Sequence, residues 1–300
     1  RIISQSRINW LVNISEIWHE QNISEIAQKI KHNLSKKKIV LISGPSSSGK
    51  TSFANRLQLH LKVLGINEVS ISLDNYYINQ QDMPKNEDGS PDLEALESID
   101  YVRFNKNIEE LICGEQVCIP VYSFSDSLIS EKKLKLEKNE VIIVEGIHGL
   151  NEKLSSSVPN DNKYKIYCSA LTALSKDDGT KIHSRTNRLI RRLIRDYYFR
   201  NASYLKTFEL WPNVEEGAEK NIYPYTDSAD IIFNSSLLYE LAVYKKHLNE
   251  IFQGVGEKDL FYDKITELLS LVNSFESIDD NSTPGTSLVK EFVGGSTLDI

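Results

Sequence analysis

The sequence predicts an α/β fold in which a parallel sheet carries helices on both faces. Short runs of consecutive apolar residues recur along the chain, and helix-period segments separate them. A glycine-rich loop joins the first apolar run to the helical segment that follows it. Uninterrupted apolar strands mark a sheet buried on both sides, and parallel neighbours need a crossover helix between them.

Residues 1–36 read as a helical segment, with Ile8, Leu11, Ile14 and Ile17, then Ile23, Ile26 and Ile30, at helix-like spacings. Lys36, Lys37 and Lys38 lead into the buried-strand run Ile39-Val40-Leu41-Ile42. After the loop, Phe53, Leu57, Leu61 and Leu64 line one face of a helix that Gly65 can close. Val69–Leu73, Val141–Val144, Tyr164–Cys168 and Ile231–Phe233 supply further strands. Asp82–Asp92, with Pro84, Gly89 and Pro91, reads as a loop. The organisation expected is a helical segment at 1–36, an α/β domain at 37–275, and a polar linker and tail at 276–300. The polar stretch Glu276–Gly285 is expected to detach that tail. No internal repeat is visible.

The 300 residues carry 26% charged and 40% apolar side chains, enough for a sizeable core. No run approaches the roughly 18 apolar residues that span a bilayer, and nothing at the start reads as a signal peptide. Because the first residue is Arg1, the expectation is a fragment of a longer chain. Cys113, Cys118 and Cys168 lack metal-ligand spacing, so buried free thiols in a reducing cytoplasm are expected. The net charge of −7 argues against a general nucleic-acid binder and makes any concentrated basic patch informative.

Gly44-Pro45-Ser46-Ser47-Ser48-Gly49-Lys50-Thr51 matches the phosphate-loop pattern G-x-x-x-x-G-K-[ST] in full. Glycines let backbone N–H groups wrap phosphates, Lys50 supplies a point charge, and the Thr51 hydroxyl can ligate Mg²⁺. The pattern follows an apolar strand and opens a helix, the context it requires. Phosphoryl transfer from ATP also needs a second Mg²⁺ contact and a group that deprotonates the attacking hydroxyl. Ligands of open parallel sheets sit at the carboxyl ends of the strands. Asp74, after Val69–Leu73, is therefore the candidate base, and Glu145, after Val141–Val144, the candidate metal ligand. The bland alternative for each is a solvent-exposed, loop-initiating acid.

Arg188, Arg191, Arg192 and Arg195 fall at i, i+3, i+4 and i+7, on one helix face, with Leu189, Ile190, Leu193 and Ile194 free to pack inward. Stacked like charges suit a bound anion, so the stripe is expected to bind phosphate rather than to stabilise the fold. Arg188 and Arg192 are assigned to ATP, Arg191 to the transferring phosphoryl group and Arg195 to the substrate side. A solvated face paired with acids elsewhere is the alternative.

Gly44–Thr51, Ser72-Leu-Asp-Asn-Tyr-Tyr77, Ile119-Pro-Val-Tyr-Ser-Phe124, Val141-Ile-Ile-Val-Glu-Gly146 and Arg188-Leu-Ile-Arg-Arg-Leu-Ile-Arg-Asp196 together resemble the uridine kinase and phosphoribulokinase family, over about residues 38–240. Glu145-Gly-Ile-His-Gly-Leu150, Trp211-Pro212 and Glu291-Phe-Val-Gly-Gly295 resemble the bacterial branch that carries threonyl-tRNA-synthetase-like domains before the kinase. The resemblance implies a nucleoside-monophosphate-kinase-like P-loop NTPase fold with a helical lid, here around 183–222. It implies ATP and Mg²⁺ as cofactors and a small-molecule substrate, most simply a nucleoside. It leaves homo-oligomerisation open and makes a nucleic-acid or membrane partner unexpected.

By position, Asp74 matches the catalytic aspartate and Tyr77 a residue beside the nucleoside. Asp100 matches an acid that binds ribose hydroxyls, Tyr122 and Phe124 match aromatics that hold the base, and Arg188 and Arg191 match lid arginines. This chain departs from the family in two places. Ser125-Asp126-Ser127 stands where uridine kinases place a base-reading histidine, and a polar insertion spans 171–186. Asp126 there would favour a base edge that donates hydrogen bonds. His148 is expected to make a structural hydrogen bond, His183 to face solvent, Trp211-Pro212 to pack the end of the lid, and Tyr76 to face the core while Tyr77 faces the site. The competing functions are a kinase for another alcohol or sugar phosphate, and an ATP-binding regulatory or RNA-associated module.

Overall fold

The computed structural model describes residues 5–122, 129–172, 174–175, 179 and 181–298. The chain opens with α1 (Gln5–Asn33), followed by β1 (Ile39–Ser43), α2 (Lys50–Val63) and β2 (Asn67–Ser72). Next come α3 (Tyr101–Ile112), the antiparallel pair β3 (Gln116–Tyr122) and β4 (Ile129–Lys135), then β5 (Glu140–Glu145) and β6 (Lys163–Ser169). The last third holds α4 (Ser184–Phe199), α5 (Tyr204–Asn221), β7 (Ile231–Asn234), α6 (Glu240–Ile251), α7 (Tyr262–Asn273) and the single turn α8 (Lys290–Val293).

β2, β5, β1, β6 and β7 lie side by side in that order, every pair parallel. β1 is central, and each of its residues is buried. Alternation along the strands divides the apolar side chains between the two faces. Val40, Ile42, Ile143 and Ile166 meet Ile23, Ile26 and Ile30 of α1 and Phe53, Leu57 and Leu61 of α2 on one face. On the other, Ile39, Leu41, Ile71, Ile142 and Val144 meet Phe104, Ile108 and Leu111 of α3 and Val117 and Ile119 of β3. β4 carries Ser, Glu and three Lys, so its sequence offers no apolar alternation; pairing with β3 forms it. No helix among the described residues is long and apolar enough to cross a membrane.

A separate core lies beyond the sheet, built from α4, α5, α6, α7 and the C-terminal segment. Leu288, Val289 and Phe292 are fully buried there, so residues 276–298 are not a detached tail. The polar composition of Glu276–Gly285 hid this, because three apolar side chains suffice to dock a short segment. α1 is likewise tied down: Arg56 of α2 donates to Glu20 at 2.8 Å and Glu16 at 3.4 Å. Trp211 is buried, in keeping with a packing role, and His183 is exposed. Cys168 is buried and pushed up to about 12 by that burial, whereas Cys113 and Cys118 are exposed, contrary to expectation.

Phe292→Ala should lower unfolding free energy by about 3–5 kcal/mol, the usual cost of emptying a fully buried phenyl site. Denaturant titration checks this; a loss below 1 kcal/mol, the order of a surface change, would mean that the segment is not docked in solution.

Candidate active site

The phosphate loop leaves the end of β1 and returns as α2. Its shape depends on two glycines. A Cβ on Gly44 would lie 2.2 Å from the Cys168 carbonyl oxygen, and Gly49 has φ +84°, a conformation that disfavours a side chain. Every carbonyl across the top of the loop is captured. Ser46 O accepts from Arg188 Nε at 2.9 Å, Ser47 O from Arg191 Nη1 at 3.3 Å, and Ser48 O from the Ser235 hydroxyl at 2.5 Å. In a planar trans peptide the C=O and the following N–H point in opposite directions. Capturing the carbonyls from outside therefore turns the Ser47 and Gly49 amides toward the concave side, where an anion would sit. Lys50 folds over the loop, with Nζ 3.3 Å from Pro45 O. Thr51 follows it, half-buried in the first turn of α2.

The two candidate acids meet beside this loop. β2 and β5 are hydrogen-bonded neighbours with Ser72 opposite Glu145. The Ser72 hydroxyl donates to Glu145 Oε1 at 2.9 Å and accepts the Asp74 N–H at 3.3 Å. One side chain thus sets both acids. Asp74 sits exposed in the 3₁₀ turn Leu73–Tyr76 that Ser72 caps. Burial and the nearby Asp74 carboxylate push Glu145 above the usual carboxylate range, while Lys50 pulls it down. A cation shared by the two acids would relieve that repulsion. Among the described residues no cluster of three or more His, Cys, Asp or Glu could hold a metal alone. The pair suits Mg²⁺, which typically takes one or two carboxylates and completes its shell with phosphate oxygens and water.

Tyr76 turns into the core, where its hydroxyl accepts from Asn107 at 2.9 Å. Tyr77 points the other way and donates to Leu93 O at 2.8 Å. Asp100 caps α3 by accepting the Arg103 N–H at 2.9 Å, and its own N–H bonds Tyr76 O, which places it at the same end of the sheet. The Tyr122 backbone closes the β3–β4 pair opposite Ile129. Its side chain, Phe124 and Ser125–Ser127 lie outside the described residues. His148 is fully buried, with a backbone hydrogen bond at Ala95 acting on its ring, in keeping with a structural role. Burial holds this ring at about 4 and thus neutral.

The arginine helix requires the largest correction. α4 is largely buried, and the four arginines are paired with acids, three of them from other elements and one, Asp196, from α4 itself. Arg191 has 0% exposure and lies 2.7 Å from Glu240 of α6, with further bonds to Ser235 and Ser47 O. Its guanidinium is engaged by these partners, so in this structure it holds the loop from behind. Arg188 pairs with Glu215 at 3.0 Å and donates to Tyr223, Arg192 pairs with Asp196 at 3.0 Å, and Arg195 lies 3.5 Å from Glu291. Arg192 and Arg195 still reach the loop, donating to the Ser46 and Ser47 hydroxyls at 2.9 and 3.2 Å. Asp196 stands at i+4 from Arg192 and is visible from spacing, but Glu215, Glu240 and Glu291 lie far along the chain, so spacing alone could not reveal their pairing.

Sequence reasoning also missed Glu94. Its Oε2 is closed off from solvent without a hydrogen-bond partner among the described residues, and burial pushes it up to about 7 against the pull of Arg192, Lys50 and Arg188. Gly217 of α5 makes room for it; a Cβ there would lie 2.3 Å from Glu94 Cβ. Nothing in Asp92-Leu-Glu-Ala-Leu-Glu97 distinguishes the middle acid from its neighbours.

A strand, phosphate loop and helix at the centre of a parallel sheet, with a lysine and two strand-end carboxylates, define a P-loop kinase. The chain belongs to the phosphoribulokinase/uridine kinase family, whose family model matches residues 39–240. It is similar to the uridine kinase of Ureaplasma urealyticum serovar 10, 24% identical over 216 residues, covering 71% of this chain and 96% of that kinase. It is also similar to the uridine kinase of Macrococcus caseolyticus, 29% identical over 200 residues, covering 66% and 88%. A solved structure described as a possible uridine kinase from Bacillus stearothermophilus matches 71% of this chain and 98% of that one, with 18% identity and a TM-score of 0.43. The protein is an ATP-dependent kinase that phosphorylates a small-molecule hydroxyl.

Arg191→Ala leaves Glu240 as an uncompensated buried charge. It should lower stability without nucleotide by about 3–5 kcal/mol, read by urea unfolding; an unchanged midpoint would return Arg191 to the phosphate-binding set.

Proposed function

We propose that the chain transfers the γ-phosphoryl group of ATP to the 5′-hydroxyl of a nucleoside. The observation that carries this reading is the bridging of Asp74 and Glu145 by Ser72 beside Lys50. The loop amides and Lys50 hold the phosphates. Thr51 and Glu145 would hold Mg²⁺, which supplies charge neutralisation at the phosphates. Asp74 takes the proton from the acceptor hydroxyl, whose oxygen forms a bond to the γ-phosphorus as the bond to the β-phosphate oxygen breaks. The products are ADP and the phosphorylated acceptor. Because the transition state is loose, most of the rate derives from positioning and charge stabilisation. Tyr77, which lies near both Asp74 and Glu94, is assigned with Glu94 and Asp100 to the acceptor. A nucleoside is favoured by the relatives named as uridine kinases and by the resemblance at Tyr122 and Phe124.

ADP formation with a panel of nucleosides, sugars and sugar phosphates tests the acceptor. Turnover confined to a sugar or sugar phosphate would overturn the nucleoside reading. Asp74→Asn should lower kcat by at least about 10²-fold, the low end for loss of a general base, with ATP affinity little changed. If only KM rises, Asp74 is a binding residue.

Glu94 gives a pH prediction. Below about 7 it is protonated, and above that value it is a carboxylate that accepts hydrogen bonds from acceptor hydroxyls. Wild-type kcat/KM should therefore rise through about pH 7, and Glu94→Gln should lack that inflection. An inflection retained in the variant would assign it to another group.

A further inference from the structure

Residues 286–298 lie outside the stretch that the family model covers, yet they pack directly on the phosphate loop. Leu288 closes against Gly49, where a Cβ would meet Leu288 Cδ1 at 2.6 Å. Glu291 Oε2 accepts from the Ser52 N–H at 3.3 Å and the Ser52 hydroxyl at 2.6 Å. Ser52 directly follows Lys50 and Thr51 in the first turn of α2. The other carboxylate oxygen of Glu291 faces Arg195 Nη1 at 3.5 Å. Arg195 Nη2 reaches Ser47 Oγ at 3.2 Å and Ser46 Oγ at 3.5 Å, and the Phe292 ring centroid lies 6.0 Å from this guanidinium.

We propose that this C-terminal segment is a working part of the nucleotide site, in which Glu291 is a positioning residue that sets ATP affinity through Arg195. The inference rests on the reading that Gly44–Thr51 holds the ATP phosphates. Burial, and after it the like-charged neighbours Arg200 and Arg192, hold Arg195 down at about 10. Glu291 and Asp196 are the acids that offset this. Of the two, Asp196 is already engaged by Arg192 and Arg200. Without Glu291 the fork has no acid of its own, and only the two serine hydroxyls and the Phe292 ring would hold it over the loop. The same carboxylate holds Ser52, so it joins the first turn of α2 to α4 across the flank of the loop. A competing arrangement would have Glu291 occupy phosphate donors that ATP must take back. The anchoring of Leu288, Val289 and Phe292 in the core opposes this, because the carboxylate is carried by a segment that cannot swing away.

The test is calorimetric titration with Mg·ATP, together with steady-state kinetics, on wild type, Glu291→Gln, Arg195→Met and the double variant. Glutamine keeps the shape and an acceptor for Ser52 but removes the charge facing Arg195. ATP Kd and KM should rise about tenfold, near the low end for losing a hydrogen bond to a charged group, with kcat within roughly twofold. Arg195→Met should give a similar loss, and the double variant no more than Arg195→Met alone. Unchanged affinity, fully additive losses or a shift in melting temperature alone would overturn the proposal. Tighter ATP binding by Glu291→Gln would overturn it in favour of competition. If that variant does not fold, normal ATP affinity in Arg195→Met is sufficient to reject the idea. Failure of wild type to bind ATP would remove the reading of the loop and this inference together, whereas equal binding by wild type and Glu291→Gln removes the inference alone.

Discussion

The orientation of the peptide groups in the phosphate loop is the constraint on which the rest of the structure depends. An anion-binding loop works only if its amides face inward, and amides face inward only if the carbonyls have partners elsewhere. Here those partners are Arg188, Arg191 and Ser235, which take the oxygens of Ser46, Ser47 and Ser48. The requirement draws α4 and the end of β7 onto the loop. It also explains why two arginines with almost no solvent exposure stand beside a site for another cationic side chain, Lys50.

Burying guanidinium groups is costly unless each is paired and its donors are satisfied. Glu240, Glu215, Asp196 and Glu291 meet that need from α6, α5, α4 itself and the C-terminal segment. The helical half of the molecule is thus organised around charge neutralisation as much as around its apolar core. Arg191 shows the consequence. Its charge is spent on Glu240 and its geometry on Ser47, so it shapes the loop from behind. Arg192 and Arg195 keep side-chain reach to the loop and are the members of the stripe placed to respond to a nucleotide.

Across the loop, one hydroxyl does comparable work. Ser72 holds Glu145 and caps the turn that carries Asp74, so the two acids are set by the pairing of β2 with β5. Burial and the repulsion between them hold Glu145 above the usual carboxylate range, a cost that the proposed Mg²⁺ would relieve. Glu94, on the loop before α3, adds a third acid whose ionisation falls near neutrality.

The five parallel strands, the loop and both candidate acids were legible in the residues, because each depends on local patterns: apolar runs, G-x-x-x-x-G-K-[ST], and an acid at the carboxyl end of a strand. Their register was not. Four arginines at helical spacing are compatible with a phosphate or with acids brought from far along the chain, and spacing carries no information about distant partners. Glu215, Glu240 and Glu291 look like ordinary surface acids until folding places them, as does Glu94 beside Lys50. The polar stretch at 276–285 likewise concealed that Leu288 and Phe292 dock. By itself the sequence determined that this chain has a parallel sheet, a phosphate cradle and acids at strand ends beside it, since those are short-range consequences of residue type and order. Only the tertiary structure decided which charges meet a ligand and which neutralise one another, because burial and pairing are set by contacts between segments up to 239 residues apart, as between Ser52 and Glu291.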